Sequence, residues 1–190
     1  MRIAIDIDST LHHYWDVLAA AARRRFGVDL PYDCQATWEI TRLRPGQLAV
    51  CVAETHGEAA ILAAHPYPHA VEIVNRWHDE GHFIHVTSHR DRAAHDATER
   101  WLNAIGLRHD ELYCSSDKLG RCREIGIDVL IDDSPETIAG AVEAGIVAAT
   151  IAHPWNRDVC VEEPVVCAAD WPGLATLLDP VLAGGRRRAA

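Results

Sequence analysis

The sequence predicts an α/β fold: a parallel-sheet core with a small helical cap inserted after the first strand. Three observations carry this. The chain opens on a short apolar strand over residues 2–7, and no second strand pattern follows until residue 82. From residue 69 onward, helical and strand patterns alternate regularly. Such alternation implies right-handed crossovers, and therefore a parallel sheet with helices on both faces.

Each element has a local reason. Ile3, Ile5 and Ile7 give the first strand its β-branched run, which ends at Asp6 and Asp8. Residues 11–26 are alanine-rich and close on Arg23, Arg24 and Arg25 before Gly27, the signature of a helix and its stop. Residues 28–37, with Pro31 and Asp33, read as loop. A second helix is expected over 46–64 after the Pro45-Gly46 break. His65-Pro66-Tyr67-Pro68 then forms a stiff connector. Residues 14–68 are accordingly assigned to the cap, and residues 1–13 with 69–182 to the core. In the core, helix 69–80 carries Ala70, Val71, Ile73, Val74 and Trp77 at helical spacing. Strand 82–87, helix 92–105, strand 111–114, helix 117–125 and strand 127–132 follow. Helix 135–144, strand 146–151, a short strand near 164–167 and helix 171–178 close the domain. Residues 183–190, with Gly184, Gly185 and three arginines, are expected as a disordered tail.

Composition narrows the function classes. The 190 residues are 48% hydrophobic and 24% charged, an ordinary soluble globular balance. A net charge of −10 argues against a nucleic-acid polymer as partner, which needs a basic face to displace counterions. A small phosphorylated ligand stays open, because a metal ion can supply local positive charge. The six cysteines include no CxxC pair and no membrane span is visible, so reduced thiols and a cytoplasmic location are expected. His78, His82 and His85 are close in sequence, but Gly81 separates them and a shared metal is not expected there.

Chemistry-bearing residues collect at the predicted carboxyl ends of the strands, where parallel sheets bind ligands. The first strand ends on Asp6 and Asp8, the second on Thr87 and Ser88. The turn after the third holds Asp117 and Lys118, and the fourth ends on Asp132 and Asp133. Packing alone gives no reason for a second acidic pair at the tip of a buried strand. Carboxylates that repel one another unless a cation lies between them suit a hard divalent ion, Mg²⁺ above all. Carboxylates, metal, hydroxyl and lysine around one point suit phosphoryl transfer. Asp6 is expected as nucleophile and Asp8 as acid and base. Asp6, Asp8 and Asp133 are expected at the metal, with Asp132 in support. Thr87, Ser88 and Lys118 are expected at the phosphoryl oxygens.

Asp6-x-Asp8-x-Thr10, Thr87, Lys118 and Asp132-Asp133, in this order, resemble the four motifs of haloacid dehalogenase (HAD)-superfamily phosphatases. Tyr14, Trp38, Arg42-Leu43-Arg44-Pro45-Gly46, Pro68-x-Ala70-Val71-Glu72, Thr87-Ser88, Asp117-Lys118 and Asp170-Trp171 resemble the 5′(3′)-deoxyribonucleotidase family. The resemblance implies a Rossmann-like HAD core, a small helical cap and Mg²⁺-dependent dephosphorylation of nucleoside monophosphates. It leaves a homodimer open as the assembly. It places Tyr14, Trp38 and Arg44 near a base pocket; each also reads as an ordinary residue, the two aromatics as cap core and Arg44 as a surface charge. Ser9 stands where the family commonly has glycine, and His12-His13 and His89-Arg90 depart from it near the expected leaving group. A phosphatase for another small phosphomonoester, such as a sugar phosphate, and a non-catalytic binding module are the alternatives.

Overall fold

A computed structural model describes residues 1–161 and 164–186. Six strands form one sheet: β1 (Arg2–Asp6), β2 (Phe83–Ser88), β3 (Glu111–Cys114), β4 (Val129–Ile131), β5 (Val147–Ile151) and β6 (Val166–Ala168). Their order is β3-β2-β1-β4-β5-β6, and every pairing is parallel. β1 is therefore central, and it is buried from Ile3 to Asp6. Its alternation splits the core: Ile3 and Ile5 join Trp77, Trp101 and Trp171 on one face, while Ala4 joins Cys122, Leu130 and Ile138 on the other. The chain runs outward through β2 and β3 and then returns to the far side of β1. Connections leaving β1 and β4 thus diverge and open a crevice at their carboxyl ends.

Between β1 and β2 the described residues contain helices and no strand. These are α1 (Tyr14–Phe26), α2 (Pro45–Thr55), α3 (Glu58–Leu62) and α4 (Ala70–Asp79). α1 starts later than its apolar pattern. The backbone N–H groups of Thr10, Leu11 and His12 all turn back onto the Ile7 carbonyl, at 3.3, 2.8 and 3.3 Å. The single helix expected over 46–64 is two, parted at His56-Gly57. Trp15, Leu18, Leu30, Leu43 and Cys51 form a separate apolar cluster, completed by Trp155 from beyond β5. That indole joins α1 and α2 to the loop after β5, while Ile61 of α3 packs into the main core.

The remaining helices are α5 (His95–Ala104), α6 (Lys118–Glu124), α7 (Pro135–Glu143), α8 (Arg157–Cys160) and α9 (Trp171–Arg186). Two of them correct the sequence reading. α8 falls in a stretch expected as loop, and it carries Cys160 to β6, where Cys160 and Cys167 form a disulfide with Cα atoms 5.3 Å apart. The reduced state expected for all six cysteines therefore holds for Cys34, Cys51, Cys114 and Cys122. α9 continues past Pro180 to Arg186, because Leu174, Leu178 and Leu182 keep one apolar stripe against the core. Residues 183–186, expected in the disordered tail, are thus helical, and residues 187–190 lie outside the described residues. No helix among the described residues is long and apolar enough to cross a membrane.

The helix extension is testable by paired truncations. Leu182 is 1% exposed and Leu177 49% exposed on the same helix. Leu182→Ala should lower unfolding free energy by about 2–5 kcal/mol, the usual cost of emptying a buried leucine site. Leu177→Ala should stay within about 0.5 kcal/mol of the wild type. Chemical denaturation of both variants gives the answer; equal effects would mean the helix does not pack in this register.

Candidate active site

The site begins with the last residue of β1. Asp6 is buried, and its Oδ1 accepts a bond from Lys118 Nζ. The same ammonium donates to Asp132 Oδ2 at 2.9 Å. Lys118 is placed by local rules. Asp117 caps α6, its Oδ1 accepting from Gly120 N at 2.9 Å. A Cβ on residue 120 would lie 2.3 Å from Asp117 Oδ2, so any other residue there would make the capping carboxylate shift. The acidic pair after β4 is placed equally firmly. Asp132 Oδ1 accepts from Ser134 N at 2.9 Å, and Ser134 caps α7 ahead of Pro135. Asp133 Oδ2 accepts from Trp155 Nε1 at 3.2 Å, and its backbone carbonyl accepts from Asn156 Nδ2 at 3.3 Å.

One oxygen from each of Asp6, Asp132 and Asp133 lies within 4.8 Å of the others. Three carboxyls thus share a single lysine. Burial pushes Asp6 up to about 7 against the pull of Lys118, with Asp132 and Asp8 adding to the rise. Burial and the neighbouring Asp6 and Asp132 push Asp133 well above the usual carboxylate range. Burial alone would discharge Lys118, but Asp132 and Asp6 overcome it and hold the ammonium charged. The cluster therefore keeps a proton or takes a cation. Its donors fit Mg²⁺: all are hard oxygens, and Asp133 Oδ1 has no hydrogen-bond partner among the described residues. Both Asp132 oxygens are committed to Lys118 and Ser134, which makes that residue a support, with Asp6 and Asp133 the available ligands.

Asp8 is built differently. Its side chain turns away from this cluster and is gripped by Arg90, whose Nε donates to Oδ2 at 3.1 Å and whose Nη2 donates to Oδ1 at 2.7 Å. His12 Nε2 lies 2.8 Å from Oδ1, and His56 Nε2 lies 3.4 Å from Oδ2. Burial works against ionisation here, but Arg90 and the two imidazoles outweigh it and hold the carboxyl well below its ordinary range. Arg90 is itself 1% exposed and fixed by Thr98 Oγ1 at 3.2 Å.

A cavity of about 1000 Å³ opens above these groups. Asp6, Asp8, Lys118, Asp132 and Asp133 lie on its floor; Tyr14, Trp38, Leu43, Leu48 and Val52 lie on its wall. Trp38 is 50% exposed, whereas the Tyr14 hydroxyl is tied to Thr55 Oγ1 at 2.9 Å. Other expected residues are placed elsewhere. Thr87 stands in register beside Asp6 with Oγ1 buried and unpartnered, and the Ser88 hydroxyl accepts from Arg90 N at 3.2 Å; neither forms part of the cavity lining. Arg44 is exposed, caps α2 through Gln47, and is also outside the lining.

Several contributors were not assigned roles from the sequence. His12 and Arg90 sit in stretches noted there as departures; His56 and Gln35 gave no signal at all. The loop after β5 also has a defined task. His153 Nε2 donates to the Ser9 carbonyl at 2.7 Å, its Nδ1 meets the Tyr32 hydroxyl at 2.7 Å, and its ring stacks on Trp155. Burial pushes His153 down to about 4, so it stays neutral. Ser9 adopts φ 63°, a left-handed conformation that explains why glycine suits this position.

The sheet order is that of a doubly wound Rossmann-type sheet, and comparison with solved structures shows the HAD fold. No family model matches the chain, and no curated protein matches it by sequence. A HAD-family hydrolase from Deinococcus radiodurans R1, with bound phosphate and sodium, is 16% identical, with 97% of this chain and 96% of that one covered and a TM-score of 0.66. CbbY from Rhodobacter sphaeroides, in complex with xylulose-(1,5)bisphosphate, is 14% identical over 91% of this chain and 98% of that one, with a TM-score of 0.61. An L-2-haloacid dehalogenase is 18% identical over 93% and 98%, with a TM-score of 0.57.

The charge crowding predicts an inverted pH response in metal-free protein. Asp6 rises from an ordinary 3.8 to about 7 on folding. The folded state therefore binds more protons than the unfolded state between those values. This contribution to stability is full below pH 4 and is lost as pH rises through 7. Asp6→Asn does not titrate and should gain on the wild type by about 1–3 kcal/mol between pH 5 and 7.5 in chelator. Urea melts at both pH values test this; a constant difference would place the Asp6 carboxyl at its ordinary pKa.

Proposed function

We propose that this protein is a Mg²⁺-dependent phosphomonoester hydrolase acting on nucleoside monophosphates. One observation carries the reading: the Asp6–Lys118–Asp132–Asp133 cluster floors a cavity whose opposite wall is aromatic and aliphatic. Asp6 and Asp133 would hold the ion, which supplies positive charge for the phosphoryl oxygens when bound.

Asp6 is the nucleophile: its carboxylate oxygen bonds to phosphorus as the bond from phosphorus to the leaving oxygen breaks. Lys118 keeps Asp6 in place and neutralises charge beside the attacked phosphoryl group. Asp8 then takes a proton from the water that hydrolyses the aspartyl phosphate. The Arg90 grip favours the ionised form required at that step. It opposes the first step, in which Asp8 must give a proton to the leaving oxygen. A leaving group that departs as a stable anion needs no such proton, so aryl phosphates should be less sensitive to Asp8 than nucleotides.

The wall argues for the substrate class. Trp38 lines the cavity and is half exposed, and base–aromatic stacking needs such an open face. Among the described lining residues Lys118 is the only lysine or arginine, so a bisphosphate would find no second permanently charged partner there. A sugar monophosphate is the second reading, supported by CbbY sharing this fold while holding a sugar bisphosphate.

Two experiments test these assignments. Asp6→Asn removes the attacking charge and should reduce Mg²⁺-dependent phosphate release by several orders of magnitude while the protein stays folded; near-normal turnover would refute the aspartyl-phosphate route. Trp38→Ala should weaken kcat/KM for a nucleoside monophosphate by about 1–3 kcal/mol, the range for base–aromatic stacking, and leave an aryl phosphate nearly unchanged. Tyr14→Ala, which also loses the bond to Thr55, should lower the melting temperature as well. Equal losses on both substrates for Trp38→Ala would remove the stacking role.

A further inference from the structure

Gln35 lies in the loop after the 3₁₀ turn Tyr32–Cys34, and it lines the cavity while only 7% exposed. Its carboxamide has an unusual commitment. Nε2 donates to the Thr37 carbonyl at 2.7 Å and to the Glu39 carbonyl at 2.9 Å. Two carbonyl acceptors fix the orientation of the amide, since an oxygen in that place would face two other oxygens. Both N–H donors are thereby used, and the loop they close is the one that displays Trp38. What is left is Oε1, which has no partner among the described residues.

We propose that Gln35 Oε1 is a specificity-determining acceptor that reads an N–H group on the edge of the base stacked on Trp38. This rests on the nucleotide reading above and adds the polar half of recognition to it. The two residues divide the work by chemistry. Trp38 offers a face that any flat ring can use; a fixed acceptor beside it selects rings with a donor at the edge. Of the other polar side chains of this loop on the wall, Glu39 is an acceptor when ionised and Thr41 can donate or accept. A ring that presents only acceptors would leave Gln35 Oε1 desolvated without a bond. A site built to hydrogen-bond a group rejects analogues lacking it far more strongly than an apolar pocket rejects an extra methylene.

The test deletes the donor from the ligand, so the loop is left intact. kcat/KM is compared for thymidine monophosphate and its N3-methyl derivative, for deoxyadenosine monophosphate and its N6,N6-dimethyl derivative, and for p-nitrophenyl phosphate. The parent of at least one pair should be hydrolysed more than tenfold better than its methylated partner. In Gln35→Leu that ratio should fall below about threefold, while p-nitrophenyl phosphate turnover persists. If Gln35→Leu does not fold, Gln35→Met takes its place in the same comparison. Parents and methylated forms hydrolysed equally, with both preferred over p-nitrophenyl phosphate, would overturn the role of Gln35 and leave the nucleotide reading standing. The same ratio in Gln35→Leu as in wild type would assign the discrimination to another residue. No preference for any nucleotide would overturn the nucleotide reading, and this inference with it.

Discussion

Lys118 is the interaction on which the rest of the site depends. It lies buried between Asp6 and Asp132, donating to both. Without an ammonium there, Asp6, Asp132 and Asp133 would be three buried carboxyls with no compensating charge on the chain, and burial would keep them protonated. With it, the three carboxylates in their ionised form leave two negative charges uncompensated at the cavity floor. That residue of charge is what a divalent ion can use. The position of Lys118 depends in turn on the Asp117 cap, whose carboxylate lies where a side chain on Gly120 would displace it. The start of one short helix is thereby linked to Asp6 through Lys118.

Asp6 and Asp8 stand two residues apart yet occupy opposite electrostatic settings. Asp6 is crowded by acids and pushed up to about 7; Asp8 is gripped by Arg90, His12 and His56 and held down. Environments that drive two carboxyls apart are how one site assigns them different tasks. The separation arises from the turn around the Ile7 carbonyl, which swings Asp8 off the strand direction, and from Ser9 in its left-handed conformation. His56 reaches Asp8 from the junction of α2 and α3, so the inserted helices touch an acid of the floor as well as forming the wall.

The sheet was legible because its signals are local and repeated. Ile3 and Ile5, the Gly-terminated helices and the paired acids at strand tips each encode their element without distant partners. The carboxylate cluster and Lys118 were legible for the same reason, as parallel strand ends converge whatever the loops do. What was hidden depended on contacts across the chain. Arg90 can be recognised only once β2 lies beside β1, and His56 only once the helix expected over 46–64 breaks at Gly57. The disulfide was hidden because α8 lacks an apolar period long enough to read. α9 was cut short at Pro180, a residue that ordinarily ends a helix, whereas tertiary burial of Leu182 carried it further.

The loop after β5 shows how such distant contacts bear on the site. Asn156 donates to Thr150 Oγ1, to the Ile151 carbonyl and to the Asp133 carbonyl, and its Oδ1 accepts from His153 N. Its amide therefore sets the path of the backbone that brings Trp155 to Asp133 and to the apolar cluster of the inserted helices. His153 completes the arrangement by joining the Ser9 carbonyl to Tyr32. Two stacked rings thus connect three parts of the molecule: the turn after β1, the acids after β4 and the inserted helices. A change in how those helices sit would be felt at Asp133 through the Trp155 indole, and at Ser9 through His153. Floor and wall of the cavity are for that reason one mechanical unit, in which the geometry of the acids and the shape offered to the substrate cannot be altered independently.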